Sequence, residues 1–596
     1  MPDAKPLMPE TDADLQSIQQ ARHFAERAAS AARALAALQQ GGIDAILDAM
    51  HDAARPQEEA WARLAVEETG FGNVPDKILK NRFATVDLHR HIRPMKTVGI
   101  LSTAADDRLV EIASPVGVVA AIVPSTNPTS TAIYKIFIAL KAGNAIVVSP
   151  HPGAQACVLA VAETLAAAAT AAGAPPDSIL CMTSPTLEGT HELMRHPGIG
   201  VILATGGPGL VKAAYSSGKP AFGVGPGNVP AFVDRSADVA KAAGDIIDGK
   251  TFDNGVLCSS ENAVVADEPI AGRLTQEMEA RGARFLSAEE TRRLSDLAVR
   301  HDGSLNTAIV GKAAADIARR AEIPVPEGTR CLVAPLAGVG RSHPLSREKL
   351  SPILAFYVED GWEACCARVL EILRYGGMGH TMSIHAQDRE VIMKFATTKP
   401  VFRICVNTPA SVGAVGLTTA LEPSMTLGCG ALGGNITSDN IMPRHLINVK
   451  RLAFETRPFV RSAAAPPAVP ATVASAPLSS TRWWVQPRLP RRADVRSEGR
   501  HAPDPALIRL RLKEALEKLP MPARKASLSP LPQAKAHASP AQGKARAASP
   551  DAVPFVSESD VRQALLEKRH IVVDRRTIIT PSARDLGQEH DIFQQI

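Results

Sequence analysis

The feature that most constrains this chain's fold is an alternation of short β-rich runs with helical stretches that begins near Val98. Four runs of five to nine mostly aliphatic residues stand out: VGVVAAIVP (116–124), NAIVVSP (144–150), VILATG (201–206) and PAFVD (230–234). Between the second and third lies CVLAVAETLAAAATAAG (157–173), whose composition favours a helix. Strands and helices alternating at this spacing predict a parallel, doubly wound α/β sheet, whose ligands bind at the carboxyl ends of its strands.

The same pattern continues further along the chain. From about 250 to 430 we predict a second α/β region, with strands at AVVAD, CLVAP and FRICVN. Before the alternation, residues 12–68 favour helices, which Gly41-Gly42 would interrupt and Pro56 would restart. Because 596 residues exceed one compact core, we expect two to four domains.

The segment after Arg457 differs from the rest in charge and in complexity. Between Arg457 and Pro550 there are 17 Lys and Arg against 5 Asp and Glu, together with 15 of the 46 prolines. This segment is therefore basic, whereas the chain as a whole carries a net charge of only +5. Sequence rich in Pro, Ala and Ser buries too little apolar surface to fold, which predicts a linker. Within it, residues 505–519 place apolar side chains along one stripe and predict an amphipathic helix.

Several classes of protein are disfavoured by what the sequence lacks. The eight cysteines are scattered without a Cys-x-x-Cys pair, and no histidines have zinc-like spacing, so we expect neither disulfides nor a metal. The N-terminus lacks the layout of a secretory signal, and no uninterrupted apolar run reaches about 20 residues, so we expect a cytoplasmic protein that does not enter a membrane. The basic tail interleaves aromatic residues only at RWWVQPRLPRR (482–492), so nucleic acid is not an expected partner.

Three runs have the composition of a ligand-binding turn. STNPTS (125–130) follows a predicted strand and opens a helix, which suits a dinucleotide or, through Asn127, a developing oxyanion; it is equally compatible with a capping turn. ATGGPG (204–209) ends another strand but lacks the full G-x-G-x-x-G spacing. FGVGPGN (222–228) allows either close backbone approach to a ligand or an ordinary glycine-rich turn.

Cys258 lies in TFDNGVLCSSEN (251–262), a window that alone favours an ordinary buried thiol over a nucleophile. Six motifs, taken in order, change that interpretation, because together they resemble the CoA-acylating branch of the aldehyde dehydrogenases over about residues 12–455. The motifs are STNPTST (125–131), LATGGPGLVKAAYSSGKPAFGVGPGN (203–228), the Cys258 window, EKLSPILAFY (348–357), GGMGHT (376–381) and TLGCGALGGN (426–435).

The resemblance implies a mechanism. The Cys258 thiolate would attack an aldehyde, the Asn127 amide and the Cys258 N–H would hold the oxyanion, and hydride loss to a nicotinamide would leave a thioester. His380 would assist the incoming thiol as a base, or would be an ordinary core or surface histidine. The cofactor-binding residues implied by the resemblance are Ser125, Thr126, Asn127, Pro128, Thr129, Ser130, Gly207, Gly225 and Glu348.

One difference from hydrolytic aldehyde dehydrogenases identifies the expected acyl acceptor. Those enzymes carry a water-activating glutamate in a Glu-Leu-Gly-Gly run, whereas the matching run here, 223–227, has no acid. Because a thiol attacks a thioester far better than unactivated water does, we expect coenzyme A. No acidic residue follows the strand NAIVVS, so both NAD and NADP stay open. Acetaldehyde, propionaldehyde and sulfoacetaldehyde are all compatible substrates.

The resemblance also divides the chain. We expect an N-terminal helical part of the dinucleotide-binding domain (1–95), that domain itself (96–245), a catalytic domain (246–425) and a return segment with an oligomerisation strand (426–456), followed by the linker (457–550) and a small interaction module (551–596). The enzyme would be a homodimer or homotetramer. Within the module, HIVVD (570–574) predicts a strand and Thr580-Pro581 predicts a helix start. Residues 557–593, and above all the run IITPSARDL (578–586), resemble a segment of ethanolamine-utilisation proteins, which implies shell or cargo partners in a bacterial microcompartment. The alternatives are a hydrolytic dehydrogenase and a degenerate, shell-associated scaffold.

Overall fold

A computed structural model of the chain describes residues 12–104, 107–459 and, with gaps, 553–595. The chain divides into two units, Met1–Pro467 and Ala468–Ile596. The predicted helix 505–519 and nearly all of the predicted linker lie outside the described residues.

The described part of the first unit contains fifteen strands and sixteen α-helices. In chain order the strands are β1 (Ile100–Thr103), β2 (Leu109–Pro115), β3 (Val118–Val123), β4 (Ala145–Pro150), β5 (Ile179–Cys181), β6 (Val201–Thr205), β7 (Ala221–Val224), β8 (Val229–Val233), β9 (Glu261–Asp267), β10 (Ala283–Phe285), β11 (Cys331–Pro335), β12 (Ile353–Glu359), β13 (Gly379–His385), β14 (Val401–Val406) and β15 (Ile447–Ala453). The helices are α1 (Ala13–Leu35), α2 (Gln40–Ala54), α3 (Glu58–Thr69), α4 (Val74–Arg82), α5 (Leu88–Ile92), α6 (Pro128–Lys141), α7 (Gln155–Ala171), α8 (Leu187–Arg195), α9 (Pro208–Tyr215), α10 (Val239–Thr251), α11 (Glu268–Glu279), α12 (Ala288–Ala298), α13 (Ala314–Arg320), α14 (Gly361–Tyr375), α15 (Arg389–Thr398) and α16 (Ala410–Ala414).

Two parallel sheets form where the sequence predicts them. The first has five strands in the order β5-β4-β3-β6-β7, and the second has seven in the order β10-β11-β12-β9-β8-β13-β14. Strands β3, β4 and β9 are buried along their whole length, as expected when helices cover both faces of a parallel sheet. The predicted α/β class, with two doubly wound parallel sheets, is confirmed. A third sheet pairs β1, β2 and β15 in antiparallel fashion.

The chain order in the five-stranded sheet reverses between β3 and β6, which are neighbours. At such a switch point the loops that follow the two strands diverge and leave a crevice at their carboxyl ends. The turn that begins at Ser125 follows β3, and Gly207 follows β6, so both lie at this crevice. The sequence therefore places two of the predicted cofactor segments on one edge of the sheet.

One local prediction is wrong. Gly41 and Gly42 do not interrupt a helix but lie in the first turn of α2, and the break comes at residues 36–39. A glycine costs little there, because the first-turn N–H groups have no partners within the helix. The start of α1 is fixed by Asp12, whose carboxylate accepts from the N–H groups of Asp14 and Leu15.

Helix α6 lies at the centre of the first unit, and all fourteen of its residues are buried. The Lys135 ammonium on this helix donates to the carbonyls of Ile122 and Leu203, at 2.7 and 2.9 Å. Burial lowers the pKa of Lys135 to about 7. This lysine therefore ties α6 to β3 and β6, the two strands that border the crevice.

One helix among the described residues, Pro152–Ala171, is long and apolar enough by composition to cross a membrane. Its Cys157, Val161 and Leu165 are fully buried and belong to the same hydrophobic core as β3 and β4. A helix that covers a buried sheet passes the same test of length and hydropathy.

The second unit is described only in part, between 553 and 595. It contains α17 (Glu558–Leu566) and four short strands: β16 (Phe555–Val556), β17 (Ile571–Val573), β18 (Ile578–Ile579) and β19 (Phe593–Gln595). β17 lies within the predicted strand HIVVD, while the predicted helix start at Pro581 falls outside the described residues. Val556, Val561, Ile571 and Val573 are among the residues of a small apolar core of its own.

Candidate active site

The predicted site residues approach one another from opposite edges of the two parallel sheets. The turn at Ser125 and the loop at Gly207 lie at the carboxyl edge of the five-stranded sheet. Cys258 and Glu348 instead precede β9 and β12, and so lie at the amino edge of the seven-stranded sheet. The glycine run 223–227 connects the sheets, because it leaves β7 and enters β8.

Cys258 is held on an unusual turn. After α10 ends at Thr251, both Asp253 (φ +47°) and Asn254 (φ +54°) adopt the left-handed conformation, which non-glycine residues seldom take. The Asn254 amide donates to the carbonyls of Gly72 and Gly311, at 3.2 and 3.0 Å, which fixes the turn. The turn thus leaves Cys258 half-buried just before β9.

The electrostatic environment of Cys258 favours the thiol over the thiolate. Burial, with a smaller contribution from the neighbouring Glu348 carboxylate, raises the pKa of Cys258 to about 12. The Arg403 guanidinium acts in the opposite direction and lowers that pKa. A nucleophilic Cys258 must therefore lose its proton as it attacks, or after a bound positive charge has stabilised the thiolate.

Glu348 and His380 both lie close to Gly227. The Glu348 carboxylate accepts the Gly227 N–H at 3.0 Å, and burial raises the pKa of Glu348 to about 7. A Cβ added at Gly227 would lie 2.2 Å from the Cys258 carbonyl oxygen and 3.3 Å from the His380 ring. The glycine thus allows three predicted site residues to approach one point of the backbone.

His380 is completely buried at the start of β13. Its Nδ1 lies 3.0 Å from the Thr381 hydroxyl, while its Nε2 has no hydrogen-bond partner within the described residues. Burial, reinforced by the Arg403 guanidinium, lowers the pKa of His380 to about 3, so the ring is neutral at physiological pH. Such a histidine is a weak base, and its role in taking the proton of an incoming thiol stays a prediction.

Asn127 reaches the cysteine turn from the other sheet. It precedes the first residue of α6, and its side-chain amide donates to the Val256 carbonyl at 3.3 Å, two residues before Cys258. The amide oxygen accepts from the Lys80 ammonium at 2.6 Å. The amide oxygen therefore faces a cation, while the amide nitrogen donates both to the cysteine turn and to the Thr126 hydroxyl, the latter at 3.3 Å.

The other residues of the 125–130 turn have different surroundings. Ser125 and Thr126 are half-buried, and Pro128 opens α6. Thr129 and Ser130 are only 2% exposed, and the Thr129 hydroxyl donates to the Asn81 side chain at 2.7 Å. The two half-buried residues are therefore the ones accessible to a cofactor, while Thr129 anchors the helix.

The crevice has open space at two predicted cofactor-binding glycines. A Cβ added at Gly207 or Gly225 would meet no atom within 4 Å, so both glycines border open space. These residues fit NAD(P), which would supply a hydride acceptor when bound.

Sequence reasoning missed two charged features of this site. Lys77 and Lys80 on α4 both bind the buried Asp253 carboxylate, although they lie more than 170 residues away in sequence. Arg403, only 2% exposed, donates to the carbonyls of Gly428 and Ser438 beside the site. A lone lysine pair on a helix is usually solvated, so the sequence offered no signal for either feature.

Within the described part of the chain, no group of three or more His, Cys, Asp or Glu could hold a metal ion. All eight cysteines are free thiols. The side chains at this site include a thiol, an amide, a carboxyl and a neutral imidazole.

This fold and site define an aldehyde dehydrogenase, and residues 8–298 match the family model described as the aldehyde dehydrogenase family. The chain is 42% identical over 433 residues to the bifunctional aldehyde-alcohol dehydrogenase AdhE of Escherichia coli, covering 72% of this chain and 48% of that protein. It is 37% identical to the succinate-semialdehyde dehydrogenase (acetylating) of Clostridium kluyveri, covering 73% of this chain and 95% of that one. The chain therefore belongs to the acylating aldehyde dehydrogenase family, although it spans about half the length of the bifunctional relatives it matches.

Solved structures support the same placement. The acetylating aldehyde dehydrogenase of Geobacillus thermoglucosidasius has a TM-score of 0.75 and 50% identity, covering 76% of this chain and all of that one. A propionaldehyde dehydrogenase from the fucose utilisation bacterial microcompartment of Clostridium phytofermentans has a TM-score of 0.66 at 30% identity, covering 72% and 96%. The Rhodopseudomonas palustris propionaldehyde dehydrogenase, with bound CoA and an acylated cysteine, has a TM-score of 0.66 at 29% identity, covering 73% and 97%.

Proposed function

We propose that this enzyme oxidises a short-chain aldehyde to acyl-CoA, with NAD(P)+ as hydride acceptor and CoA as acyl acceptor. The observation that carries the proposal is the glycine run between the sheets. A Cβ at Gly223 would lie 2.8 Å from Val211 and 3.0 Å from Tyr215, and a Cβ at Gly227 would overlap the Cys258 carbonyl. At these two positions the run has no room for the carboxylate that activates water in hydrolytic aldehyde dehydrogenases.

Cys258 is the proposed nucleophile. Its sulfur bonds to the aldehyde carbon as the thiol proton leaves, and the carbonyl oxygen becomes the oxyanion of a thiohemiacetal. The Asn127 amide, oriented by Lys80, and the Cys258 N–H donate to that oxyanion. When the thiohemiacetal collapses, the C–H electron pair leaves as hydride and a thioester remains on Cys258.

Thiol attack completes the proposed reaction. The sulfur of CoA bonds to the thioester carbon as its thiol proton leaves to solvent, the C–S bond to Cys258 breaks, and the released Cys258 thiolate takes up a proton. A thiol needs less activation than water for this step, which suits a site whose histidine is neutral and weakly basic. In this proposal the carboxylate of Glu348, which lies beside Gly227, binds the nicotinamide ribose.

A panel assay tests the proposal. Acetaldehyde, propionaldehyde and sulfoacetaldehyde are offered with NAD+ or NADP+, with and without CoA, and nicotinamide reduction is followed by absorbance. We expect continuous turnover only when CoA is present, with acyl-CoA as the product. Continuous turnover to a carboxylate without CoA would overturn the proposal.

One observation favours a hydrolytic alternative. Glu348 is an acid close enough to Cys258 to raise its pKa, and its own pKa of about 7 suits a general base. Under that alternative, Glu348→Gln would abolish a CoA-independent turnover. The same panel, run on Glu348→Gln, separates the two functions.

We further propose that the enzyme is homo-oligomeric cargo of a bacterial microcompartment. Strand β15 lies at an edge of its sheet with Leu452 exposed, and edge strands of this kind can pair with a second subunit. Light scattering tests whether the enzyme is a dimer or a tetramer.

The similar propionaldehyde dehydrogenase from a microcompartment supports the proposed location. Co-purification with shell proteins, with and without residues 460–596, tests the role of the extension; undiminished association after deletion would contradict it.

A further inference from the structure

We propose that Lys80 is a positioning residue that sets the Asn127 amide for oxyanion binding, and that Asp253 couples this amide to the turn that carries Cys258. The proposal rests on the proposed function, since it assigns a task to the same amide. It concerns Lys77 and Lys80, which lie outside every motif, and Asp253, which lies in the Cys258 window but has no role assigned by it.

The three residues form a buried cluster between the two halves of the site. Asp253 is fully buried, and its Oδ2 accepts from Lys77 at 3.0 Å and also from Lys80. Lys77 and Lys80 are 1% and 4% exposed. Two ammonium groups thus share one carboxylate out of water, where electrostatic interactions are strong because solvent screens them little.

Each lysine also reaches the turn that contains Asn127, but at a different atom. The Lys80 ammonium donates to the Asn127 side-chain oxygen at 2.6 Å, whereas Lys77 donates to the Thr126 backbone carbonyl at 3.2 Å. Of the two lysines, only Lys80 therefore contacts the Asn127 side chain. It binds the amide oxygen, while the amide nitrogen donates to the Thr126 hydroxyl and the Val256 carbonyl, each at 3.3 Å. The charge of Lys80 also polarises the amide, which makes the opposite N–H groups better donors.

The carboxylate end of the cluster belongs to the cysteine turn. Asp253 lies five residues before Cys258 and adopts the left-handed conformation (φ +47°). Its backbone N–H donates to Asp76 at 2.7 Å, and its Oδ1 accepts from the Asn73 N–H at 2.8 Å. A strained conformation held by this many contacts is fixed by its surroundings. The same carboxylate therefore fixes both the nucleophile's turn and, through Lys80, the oxyanion donor.

Lys77→Met is the matched control for Lys80→Met, because each removes one ammonium from the same carboxylate and leaves the other. Pre-steady-state nicotinamide reduction, without CoA, reports the steps that pass through the oxyanion. For Lys80→Met we expect the burst rate to fall about tenfold or more with the aldehyde KM within about threefold, since the loss concerns a transition-state donor. For Lys77→Met we expect a fall of less than about threefold.

Double variants distinguish positioning from general destabilisation. In an Asn127→Ala background, Lys80→Met should cause no further loss of the burst rate, because the amide it orients is gone. Losses that multiply, or equal losses in Lys77→Met and Lys80→Met, would overturn the proposal. If Lys80→Met does not fold, Lys80→Gln and Lys77→Gln are compared under the same criteria.

A crystal structure of Lys80→Met supplies a readout independent of activity. We expect the Asn127 amide to rotate away from the Val256 carbonyl or to occupy two orientations, and to keep its orientation in Lys77→Met. An unchanged amide in Lys80→Met would overturn the positioning role. Absence of any aldehyde-dependent burst in the unmodified enzyme would instead overturn the proposed function, while the crystallographic comparison would still decide the role of Lys80.

Discussion

The two parallel sheets contribute opposite edges to one site. The five-stranded sheet presents its carboxyl edge, at the switch point between β3 and β6, where ligands of open α/β sheets ordinarily bind. The seven-stranded sheet presents its amino edge, where Cys258 and Glu348 precede their strands. The first edge is suited to ligand binding by topology alone, whereas the second needs side-chain contacts to hold its turns. Asp253 and Asn254 supply several of those contacts.

The largest effect is expected at the amino edge of the seven-stranded sheet. Cys258→Ser should reduce CoA-dependent nicotinamide reduction to below about one thousandth, because the nucleophile is lost. Cys366→Ser, at a half-buried cysteine on α14, is the control and should keep full activity. Steady-state assays of both variants check the prediction. Substantial activity in Cys258→Ser would show that Cys258 is not the nucleophile.

The next effect tests the glycine run that joins the two edges. Gly227→Ala should lower kcat/KM about tenfold or more, since the added methyl would overlap the Cys258 carbonyl oxygen and displace the cysteine. Gly209→Ala is the matched control, because a Cβ there meets no atom within 4 Å. Kinetics with thermal unfolding of both proteins provide the measurement. Equal kinetics would indicate that the run does not position Cys258.

A pH experiment tests the electrostatics of the cysteine turn. Burial raises the pKa of Cys258 to about 12, so in the cofactor-free enzyme the thiolate is the minor form throughout the neutral range. Because the thiolate is the reactive species, alkylation by iodoacetamide should accelerate about tenfold per pH unit from 7 to 10 without levelling off. Mass spectrometry of the Cys258 peptide measures the rate. A plateau in the alkylation rate near pH 8 would show that burial does not raise the pKa of Cys258 this far.

The smallest effect concerns His380. Burial lowers its pKa to about 3, so the ring should stay neutral from pH 5 to 8 and add no inflection to the pH–rate profile there. The profiles of the unmodified enzyme and of His380→Gln should therefore have the same shape over that range, whatever their absolute rates. An inflection near pH 6.5 that His380→Gln removes would indicate a solvated, titrating histidine.

The strands of this structure could be predicted from local sequence patterns. The predicted strand CLVAP has the same bounds as β11 (Cys331–Pro335), and the bounds of the other predicted strands differ from the observed ones by at most two residues. Apolar β-rich runs bounded by turns are a local signal, which explains this agreement. The helix break predicted at Gly41-Gly42 was wrong because two glycines are compatible both with a break between helices and with the first turn of a helix. The motifs indicated Cys258, Asn127 and Glu348 as candidates, but not their spatial relations.

What the sequence could not provide were the long-range pairs. Lys80 and Asp253 lie 173 residues apart, and each alone is typical of a solvated surface. In the sequence Arg403 is an ordinary residue of a predicted strand, whereas in the structure it is buried and donates to the carbonyl of Gly428. Burial of charge depends on tertiary contacts, so no local pattern records it. The roles of all these residues stay predictions until they are tested.

The most direct test of the account is the acyl-enzyme itself. The enzyme is mixed with aldehyde and NAD(P)+ in the absence of CoA, quenched in acid and examined by mass spectrometry while nicotinamide reduction is recorded. We predict a burst of about one reduced nicotinamide per active site, an acyl group on Cys258, and its release as acyl-CoA when CoA is added. Continuous turnover without CoA, or an unmodified Cys258 after the burst, would contradict the account.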